Sequence, residues 1–252
     1  MRLKTWESLP DNMKTEEVRP YYNMLQKKKR SIFFKRIFDV AGSLFLLVIL
    51  SPLFFILAII IKVDSPGPVF FRQERVTQYG RLFYIFKFRT MRMDAAEYGP
   101  EVTVKGDGRI TRAGQVIRKY RLDELPQLLD IFRGTMSFVG TRPEVPRYTA
   151  SYTPRMMATL LLPAGVTSLT AIFYAQEAEL LDGAEEPDSV YIEKIMPEKM
   201  RYNLKEIEKF SCANDLKVIM MTVCAMCGKR FREEENGDSD QEGCPKRNRR
   251  PR

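Results

Sequence analysis

The chain has 252 residues and a formal net charge of +9, from 41 Lys and Arg against 32 Asp and Glu. It contains no histidine, which excludes serine–histidine triads, imidazole acid–base catalysis and most catalytic zinc sites. Any catalysis must therefore use carboxylates, lysine, arginine, hydroxyls, thiols or a hard metal ion. The positive charge suits nucleic acid, an anionic membrane surface or a phosphorylated substrate as a partner.

The N-terminal quarter of the chain carries the most informative pattern. Residues 1–30 are polar and of mixed charge, and we expect a polar extension of short helices near a membrane face. Ser31–Asp39 interleaves aromatic and basic residues, as is typical of an interfacial helix. The run Val40–Ile61 has no charge and is about as long as the roughly 20 apolar residues that a helix needs to cross a bilayer core. Residues 31–62 are therefore predicted to be the membrane segment.

A Ser-Pro pair lies at the centre of this run. Pro52 has no backbone N–H and its ring crowds the carbonyl of Val48, which the Ser51 hydroxyl can satisfy. Basic residues crowd both flanks, at 27–36 and 62–89, and both can lie on the cytoplasmic side only if the helix bends and returns. The bend favours a re-entrant helix-break-helix. A kinked spanning helix and a buried core helix are the alternatives.

Residues 63–229 are predicted to form one small cytosolic domain. Alternating aromatic residues predict a β-hairpin, with strands at Val69–Gln73 and Arg81–Phe88 and a turn at Gln78–Gly80. The fold class is therefore α+β and mostly helical: a membrane helix-break-helix, a small domain with a short hairpin, and amphipathic interfacial helices.

The rest of this domain is divided by apolar spacing and turn residues. Helices are predicted at Ala113–Tyr120, Leu122–Phe132, Arg147–Leu162, Met196–Lys209 and Leu216–Cys227, the last too short to span a membrane. Loops are predicted at Ala95–Thr111 and Ser137–Pro146. Residues 230–252 are predicted to be a disordered charged tail.

Four cysteines lie near the C-terminus, at Cys212, Cys224, Cys227 and Cys244. The Cys224-x-x-Cys227 spacing is compatible with zinc or redox chemistry, but no second pair completes a zinc site. The surrounding run is apolar, so buried or membrane-facing free thiols are the favoured interpretation.

The sequence Arg121-Leu-Asp-Glu-Leu-Pro-Gln127 is the sharpest candidate for chemistry. A helix that starts near Asp123 places Asp123 and Glu124 at its positive end, where capping alone is one explanation. Cationic residues elsewhere could converge on them, or could be solvated surface charges: Lys87, Arg89, Arg112, Arg118, Arg121 and Arg142. Carboxylates among cations, with no histidine, suit phosphate chemistry on a metal-chelated diphosphate.

Several stretches together resemble one family. They are KRIFDVAGSLFLLVILSPLFF, FKFRTM and RITRAGQVIRKYRLDELPQLLDIFRGTMSFVGTRPE. The chain resembles the bacterial sugar transferases, the monotopic polyprenyl-phosphate phosphoglycosyl transferases, over about residues 31–229. In that family the Ser-Pro helix re-enters the membrane, which strengthens the re-entrant prediction.

The resemblance implies a specific reaction. A UDP-sugar binds with Mg²⁺ (Mn²⁺ is the other candidate), and Asp123 attacks the β-phosphate to give a covalent phosphosugar adduct and UMP. Polyprenyl (undecaprenyl) phosphate then accepts the sugar phosphate, in the first membrane step of exopolysaccharide, capsule or glycoconjugate synthesis. Glu124 completes the dyad and, with Asp123, would hold the metal. The residues matched to phosphate binding are Lys87, Arg89, Arg118 and Arg142.

The resemblance also implies a setting: the bacterial cytoplasmic (inner) membrane, with the catalytic domain on its cytoplasmic face. Membrane lipid is an expected partner, a homodimer is compatible with the family, and no nucleic acid is expected. The chain departs from the family at Thr141-Arg142-Pro143, where Pro-Arg-Pro is usual, and at Ala164–Ser168, where many members have Pro-Gly-Ile-Thr-Gly. The sugar therefore stays open, and a metal-dependent phosphohydrolase or an adaptor that binds anionic lipid are the alternative functions.

Overall fold

The structure is a computed structural model that describes residues 3–92, 107–174 and 187–226. Most of the predicted loop at 95–111, the C-terminal tail at 230–252, and Cys227 and Cys244 lie outside these residues. The described part is mostly helical with two small sheets, which confirms the coarse fold class.

The α-helices of the described residues follow the chain in ten segments. They are α1 (Arg19–Lys27), α2 (Lys29–Ile49), α3 (Ser51–Asp64), α4 (Arg112–Lys119), α5 (Gln127–Arg133), α6 (Pro146–Thr149), α7 (Leu169–Phe173), α8 (Pro187–Val190), α9 (Met196–Glu208) and α10 (Cys212–Met226). A π-helical turn at Tyr191–Ile195 joins α8 to α9. Short 3-10 turns lie at Trp6–Ser8, Asp11–Met13, Gln78–Gly80, Leu122–Glu124 and Met156–Leu161.

The strands form two separate pairs. Strands β1 (Phe70–Val76) and β2 (Leu82–Phe88) make the predicted antiparallel hairpin, in register from Phe70 opposite Phe88 to Val76 opposite Leu82. Strands β3 (Met136–Val139) and β4 (Ala164–Thr167) pair in parallel. A Cβ on Gly165 would meet the Gly140 nitrogen at 2.1 Å, so this close approach of two backbones requires glycine.

The N-terminal segment is part of the main hydrophobic core. Fully buried side chains before α2, such as Leu9, Val18 and Leu25, share one cluster with Leu161 and Met200 from the far end of the chain. Residues 1–30 were expected near a membrane face, whereas the structure buries their apolar side chains between Leu9 and Leu25 in the domain core and leaves polar ones such as Glu16 exposed. Their apolar residues are spaced among polar ones, and only the tertiary partners show where they are buried.

Helices α2 and α3 meet at the predicted break with a bend of 61°. Pro52 lies in the first turn of α3, where a missing N–H is tolerated, and the Ser51 hydroxyl donates to the Val48 carbonyl at 2.8 Å, as predicted. No single described helix has the length and apolar character to cross a bilayer, and only this bent pair reaches them, when its two arms are taken together.

One side of the bent pair packs on the domain and the other is open. Leu57 and Ile61 of α3 are buried against Phe88 of the hairpin. The opposite side exposes large apolar residues, including Val48 at 66% and Phe55 at 73% of their surface. An apolar surface of this extent marks a contact with another apolar medium or partner.

Polar contacts fix α2 to the domain just before the apolar run. Lys35 Nζ lies 2.5 Å from Asp215 of α10, and both side chains are largely removed from solvent. Asp39 accepts hydrogen bonds from the Ser137 hydroxyl at 3.1 Å and the Phe138 N–H at 3.2 Å. Because buried charges are costly without partners, these contacts set the position of α2 on the domain.

Three predicted segments differ from the structure. The helix predicted at Leu122–Phe132 is divided, because Pro126 has no N–H to give the Leu122 carbonyl and α5 begins only at Gln127. The helix predicted at Arg147–Leu162 is also divided, and Pro154 lies in the gap between α6 and the turn at Met156–Leu161. The predicted loop Ser137–Pro146 begins inside β3, a short buried strand with no alternating pattern.

Candidate active site at Asp123 and Glu124

The carboxylate pair lies in a 3-10 turn between α4 and α5. Arg121 adopts a left-handed conformation (φ 53°) that reverses the chain after α4. The turn Leu122–Glu124 follows, and α5 starts three residues after Glu124. The pair was expected in the first turn of a long helix. It lies instead on a tight connection beside β2, where the hairpin can supply cations.

Glu124 is surrounded by cations. Its carboxylate accepts a hydrogen bond from Arg142 at 2.5 Å, with Lys87 Nζ at 3.7 Å and Arg121 at 3.8 Å. Burial alone would raise the pKa of Glu124, but the charges of Arg142 and Lys87 outweigh it and hold that pKa well below its usual range. Glu124 is therefore a permanent anion that orders three basic side chains.

Asp123 has the opposite environment. Its side chain is half-buried, and no side chain in the described ranges donates a hydrogen bond to it or pairs with it. Burial, and then the charge of Glu124, raise the pKa of Asp123, while Lys87 and Arg118 oppose that shift. Two adjacent carboxylates are thus driven apart in pKa, a pattern that often separates their chemical roles. Of the two, Asp123 is the carboxylate that no described side chain occupies.

Lys87 and Arg118 are two further cations beside the carboxylate pair. Lys87 projects from β2, and burial lowers its pKa to about 8 although Glu124 opposes the change. Arg118 projects from α4, where its Nε donates to the Thr90 hydroxyl at 2.9 Å. Burial lowers the pKa of Arg118, and the charge of Asp123 opposes that change. With Arg142, three of the four predicted phosphate-binding residues therefore lie around the pair.

Arg89, the fourth predicted phosphate-binding residue, has different contacts. It is 5% exposed, and its guanidinium donates to the carbonyls of Ser65 (2.7 Å) and Pro66. Those carbonyls follow the end of α3, so Arg89 ties the bent helix pair to the end of β2. Ser51 and Pro52 lie at the bend itself, away from the carboxylates along the chain.

The loop that carries Arg142 is held by a buried network that sequence patterns did not suggest. Glu144 accepts a hydrogen bond from the Tyr191 hydroxyl at 2.5 Å, and Lys199 donates to the same hydroxyl at 2.9 Å. The Val76 N–H of β1 binds the Glu144 carbonyl at 2.9 Å. Tyr191 and Lys199 lie about 50 residues along the chain, so no local signal links them to Glu144.

Asp123 and Glu124 are the candidate ligands for a metal ion. Within residues 3–92, 107–174 and 187–226 no group of three or more histidine, cysteine, aspartate or glutamate side chains could hold an ion. Mg²⁺ is nevertheless commonly held by one or two carboxylates together with substrate phosphates. Asp123 fits that role, because no side chain in the described residues donates a hydrogen bond to its carboxylate or forms an ion pair with it. Of the cysteines, Cys212 is exposed and Cys224 half-buried as free thiols, and Cys227 lies outside the described residues.

A half-buried carboxylate with a raised pKa, a neighbouring carboxylate paired with cations, and further cations therefore lie together, an arrangement that suits phosphate chemistry. A family model described as bacterial sugar transferase matches residues 30–229. The chain belongs to the bacterial sugar transferases, and the family predicted from its motifs is confirmed.

Named relatives share different portions of the chain. The UDP-glucose:undecaprenyl-phosphate glucose-1-phosphate transferase of Caulobacter vibrioides is 36% identical over 194 residues, which are 75% of this chain and 68% of that protein. A putative undecaprenyl-phosphate N-acetylgalactosaminyl 1-phosphate transferase of Bacillus subtilis is 38% identical over 52% of this chain and 73% of its own. A longer relative comes from Aeromonas hydrophila, a UDP-N-acetylgalactosamine-undecaprenyl-phosphate N-acetylgalactosaminephosphotransferase. It is 45% identical over 44% of this chain, and the matched part is 26% of that protein.

The network behind Arg142 gives a stability prediction. Tyr191→Phe removes the hydroxyl shared by Glu144 and Lys199 and leaves both charges buried with fewer partners, so we expect it to lower the free energy of unfolding by about 1–3 kcal/mol. Tyr84→Phe is the matched control, since Tyr84 is 53% exposed. Thermal midpoints of the two detergent-solubilised variants measure the difference. Equal midpoints would show that the network does not stabilise the loop.

Proposed function

We propose that the protein transfers a sugar-1-phosphate from a UDP-sugar to polyprenyl phosphate and releases UMP. The observation that carries this proposal is the contrast between two adjacent carboxylates: Asp123 has no side-chain partner among the described residues, and Glu124 is surrounded by cations. The names of the relatives support it, since they describe transferases of a sugar 1-phosphate to undecaprenyl phosphate. The reaction would be the first membrane step in building an exopolysaccharide or related glycoconjugate.

The transfer takes two displacements at phosphorus. An Asp123 carboxylate oxygen attacks the β-phosphorus of the UDP-sugar, the bond from that phosphorus to the bridging oxygen breaks, and UMP leaves with the bridging oxygen. In the second step a phosphate oxygen of the polyprenyl phosphate attacks the same phosphorus. The bond to Asp123 breaks, its carboxylate is restored, and a polyprenyl diphosphate sugar is formed.

The cations serve the charge that develops during both steps. Arg142 and Lys87 are held in place by Glu124, and Arg118 by Thr90, so each is ordered before the diphosphate binds. Pre-ordered donors stabilise developing charge without reorganisation during the reaction. A bound Mg²⁺, held by Asp123 and Glu124 together with the diphosphate, would supply further neutralisation of the phosphate oxygens. A second copy of the chain is not needed to bring these described residues together.

We further propose that α2 and α3 form a re-entrant hairpin at the cytoplasmic face of the bacterial inner membrane. Segments on both sides of the pair lie in one hydrophobic core, since Leu25 precedes α2 while Leu161 and Met200 follow α3. Both ends of the pair are therefore held on one side of any bilayer that the pair enters. Each arm from residue 40 to 61 has about 11 residues and reaches roughly 16 Å, about half of a hydrocarbon core.

This placement explains why a lipid-phosphate acceptor can reach the carboxylates. The turn with Asp123 lies beside β2 and α4, and both elements pack against α3 near its end. The phosphate of a polyprenyl lipid lies at the membrane surface, where the apolar arms stop. Membrane lipid is thus the expected surroundings of the site, and the sugar is not specified by these contacts.

Replacing the nucleophile tests the covalent step. Asp123→Asn should lower the rate of UMP release by about 10³-fold or more, as is common when a nucleophile is removed. Without acceptor, intact-mass analysis should show the wild-type chain gaining one phosphosugar and Asp123→Asn remaining unmodified. Asp64→Asn, the same change at an exposed carboxylate, is the control. UDP release would contradict the proposal, and UMP release that ignores the lipid acceptor would indicate a phosphohydrolase.

The pKa of Lys87 predicts the basic limb of the pH profile. With a pKa of about 8, Lys87 loses its charge as pH rises through that value, so kcat/KM should fall above about pH 8 because this ratio reports the free enzyme. Lys87→Arg keeps the charge and should shift the basic limb upward, while Lys119→Arg, on the exposed side of α4, should leave it unchanged. An identical basic limb in wild type and Lys87→Arg would remove Lys87 from this role.

On the acidic side of the pH profile, the raised pKa of Asp123 should place the fall in activity above the usual pH range for aspartate.

A further inference from the structure

A second basic cavity lies at the opposite end of α5 from the carboxylate pair. It has a volume of about 290 Å³ and is lined by residues that include Arg36, Asp39, Gln78, Arg81 and Arg133. None of these belongs to the site around Asp123. The seven residues of α5 separate the two regions by about 10 Å of helical rise.

The arginines of this cavity come from three separate elements. Arg36 of α2 is fixed, since it donates to the carbonyls of Ile131 and Phe132 at 2.6 and 2.8 Å, at the C-terminal end of α5. Arg81 and Arg133 are exposed. The guanidinium of Arg133 lies 5.0 Å above the Phe86 ring. Among the described residues, the Arg81 side chain makes one long hydrogen bond, of 3.4 Å, to the Gln78 carbonyl.

The charge of the cavity favours an anion. Three guanidinium groups line the cavity together with one acidic side chain, Asp39, which is 1% exposed. Its Oδ1 accepts the bonds from Ser137 and Phe138, and its Oδ2 is buried without a hydrogen-bond partner among the described residues. Guanidinium groups present forked N–H donors that match phosphate oxygens. The lining thus suits a phosphate group as the ligand better than it suits a metal ion.

The surroundings of the cavity indicate what carries that phosphate. Each arginine has an exposed apolar neighbour in the chain: Ile37 beside Arg36, Leu82 beside Arg81 and Phe132 beside Arg133. Asp39 is also the last charged residue before the apolar run of α2. A basic cavity whose lining includes Arg36 and Asp39, which come just before this apolar run, matches an amphiphile with a phosphate head and acyl chains.

We propose that this cavity binds a phosphate ester, and that its source is the headgroup of a membrane phospholipid. The bound lipid would hold the domain on the membrane at a fixed angle, together with the bent helix pair. This inference does not depend on the transfer reaction, because it uses no residue of the proposed catalytic site.

Binding of defined probes to the full chain in an uncharged detergent tests the proposal. The probes are a short-chain phosphatidylglycerol below its critical micelle concentration and soluble glycerol 3-phosphate, with dissociation constants taken from the ligand-dependent rise in thermal midpoint. Arg81→Gln/Arg133→Gln should bind the lipid about tenfold or more weakly than wild type, since two charge-assisted hydrogen bonds are lost. Lys29→Gln/Arg30→Gln, which removes two charges from exposed positions on the first turn of α2, should stay within about twofold.

The outcomes separate the site from its source. Saturable lipid binding that depends on Arg81 and Arg133, with weak binding of glycerol 3-phosphate, supports the proposal. Equal affinity for both probes with the same dependence would overturn the phospholipid as the source and leave a soluble phosphate ester. Equal weakening in the two double variants would overturn the site, because it would reflect general charge. If the Arg81/Arg133 variant does not fold, Arg81→Gln alone gives the same comparison with Arg30→Gln.

Discussion

The structure depends on one hydrophobic core that is built from residues on both sides of the bent helix pair, so the chain must return to the domain after α3. Leu9, Val18 and Leu25 lie before α2, and the side chains that bury them, such as Leu161 and Met200, lie after α3. Burial of this kind is the main favourable term in folding. The start of α2 and the end of α3 are therefore both held at the domain, on one side of any bilayer that the pair enters. The break at Pro52, with the Val48 carbonyl satisfied by Ser51, is the local feature that makes such a return compatible with an apolar environment.

The same constraint governs the chemistry. The ends of the bent pair are tied to the elements that build the site: Arg89 joins the turn after α3 to the end of β2, and Arg36 joins α2 to the end of α5. The proposed reaction between a soluble diphosphate and a lipid phosphate would need its carboxylate at the membrane surface. Within the site, the two carboxylates have opposite environments. Cations surround Glu124 and lower its pKa, whereas burial raises the pKa of Asp123, which no described side chain pairs with.

Local signals in the sequence predicted the features that depend on local chemistry. The hairpin, the break at Ser51-Pro52 and the carboxylate pair follow from alternation, proline geometry and a distinctive motif, and the family is confirmed. Sequence patterns did not predict the parallel pair of β3 and β4, which is short and buried and needs Gly140 beside Gly165. Nor did they predict the Glu144–Tyr191–Lys199 network or the contacts of Arg89, because each depends on partners far apart in the chain.

The sidedness of the two chain segments around the bent pair tests the central claim most directly. Single cysteines at Glu16 and Lys119, both exposed, would be introduced after replacement of the native cysteines and probed with a membrane-impermeant thiol reagent in oriented membrane vesicles. The re-entrant arrangement predicts labelling of both from the cytoplasmic face alone, and protection from either face of a cysteine at Phe55, on the open side of α3. Labelling of the two cysteines from opposite faces would establish a spanning helix and contradict the account.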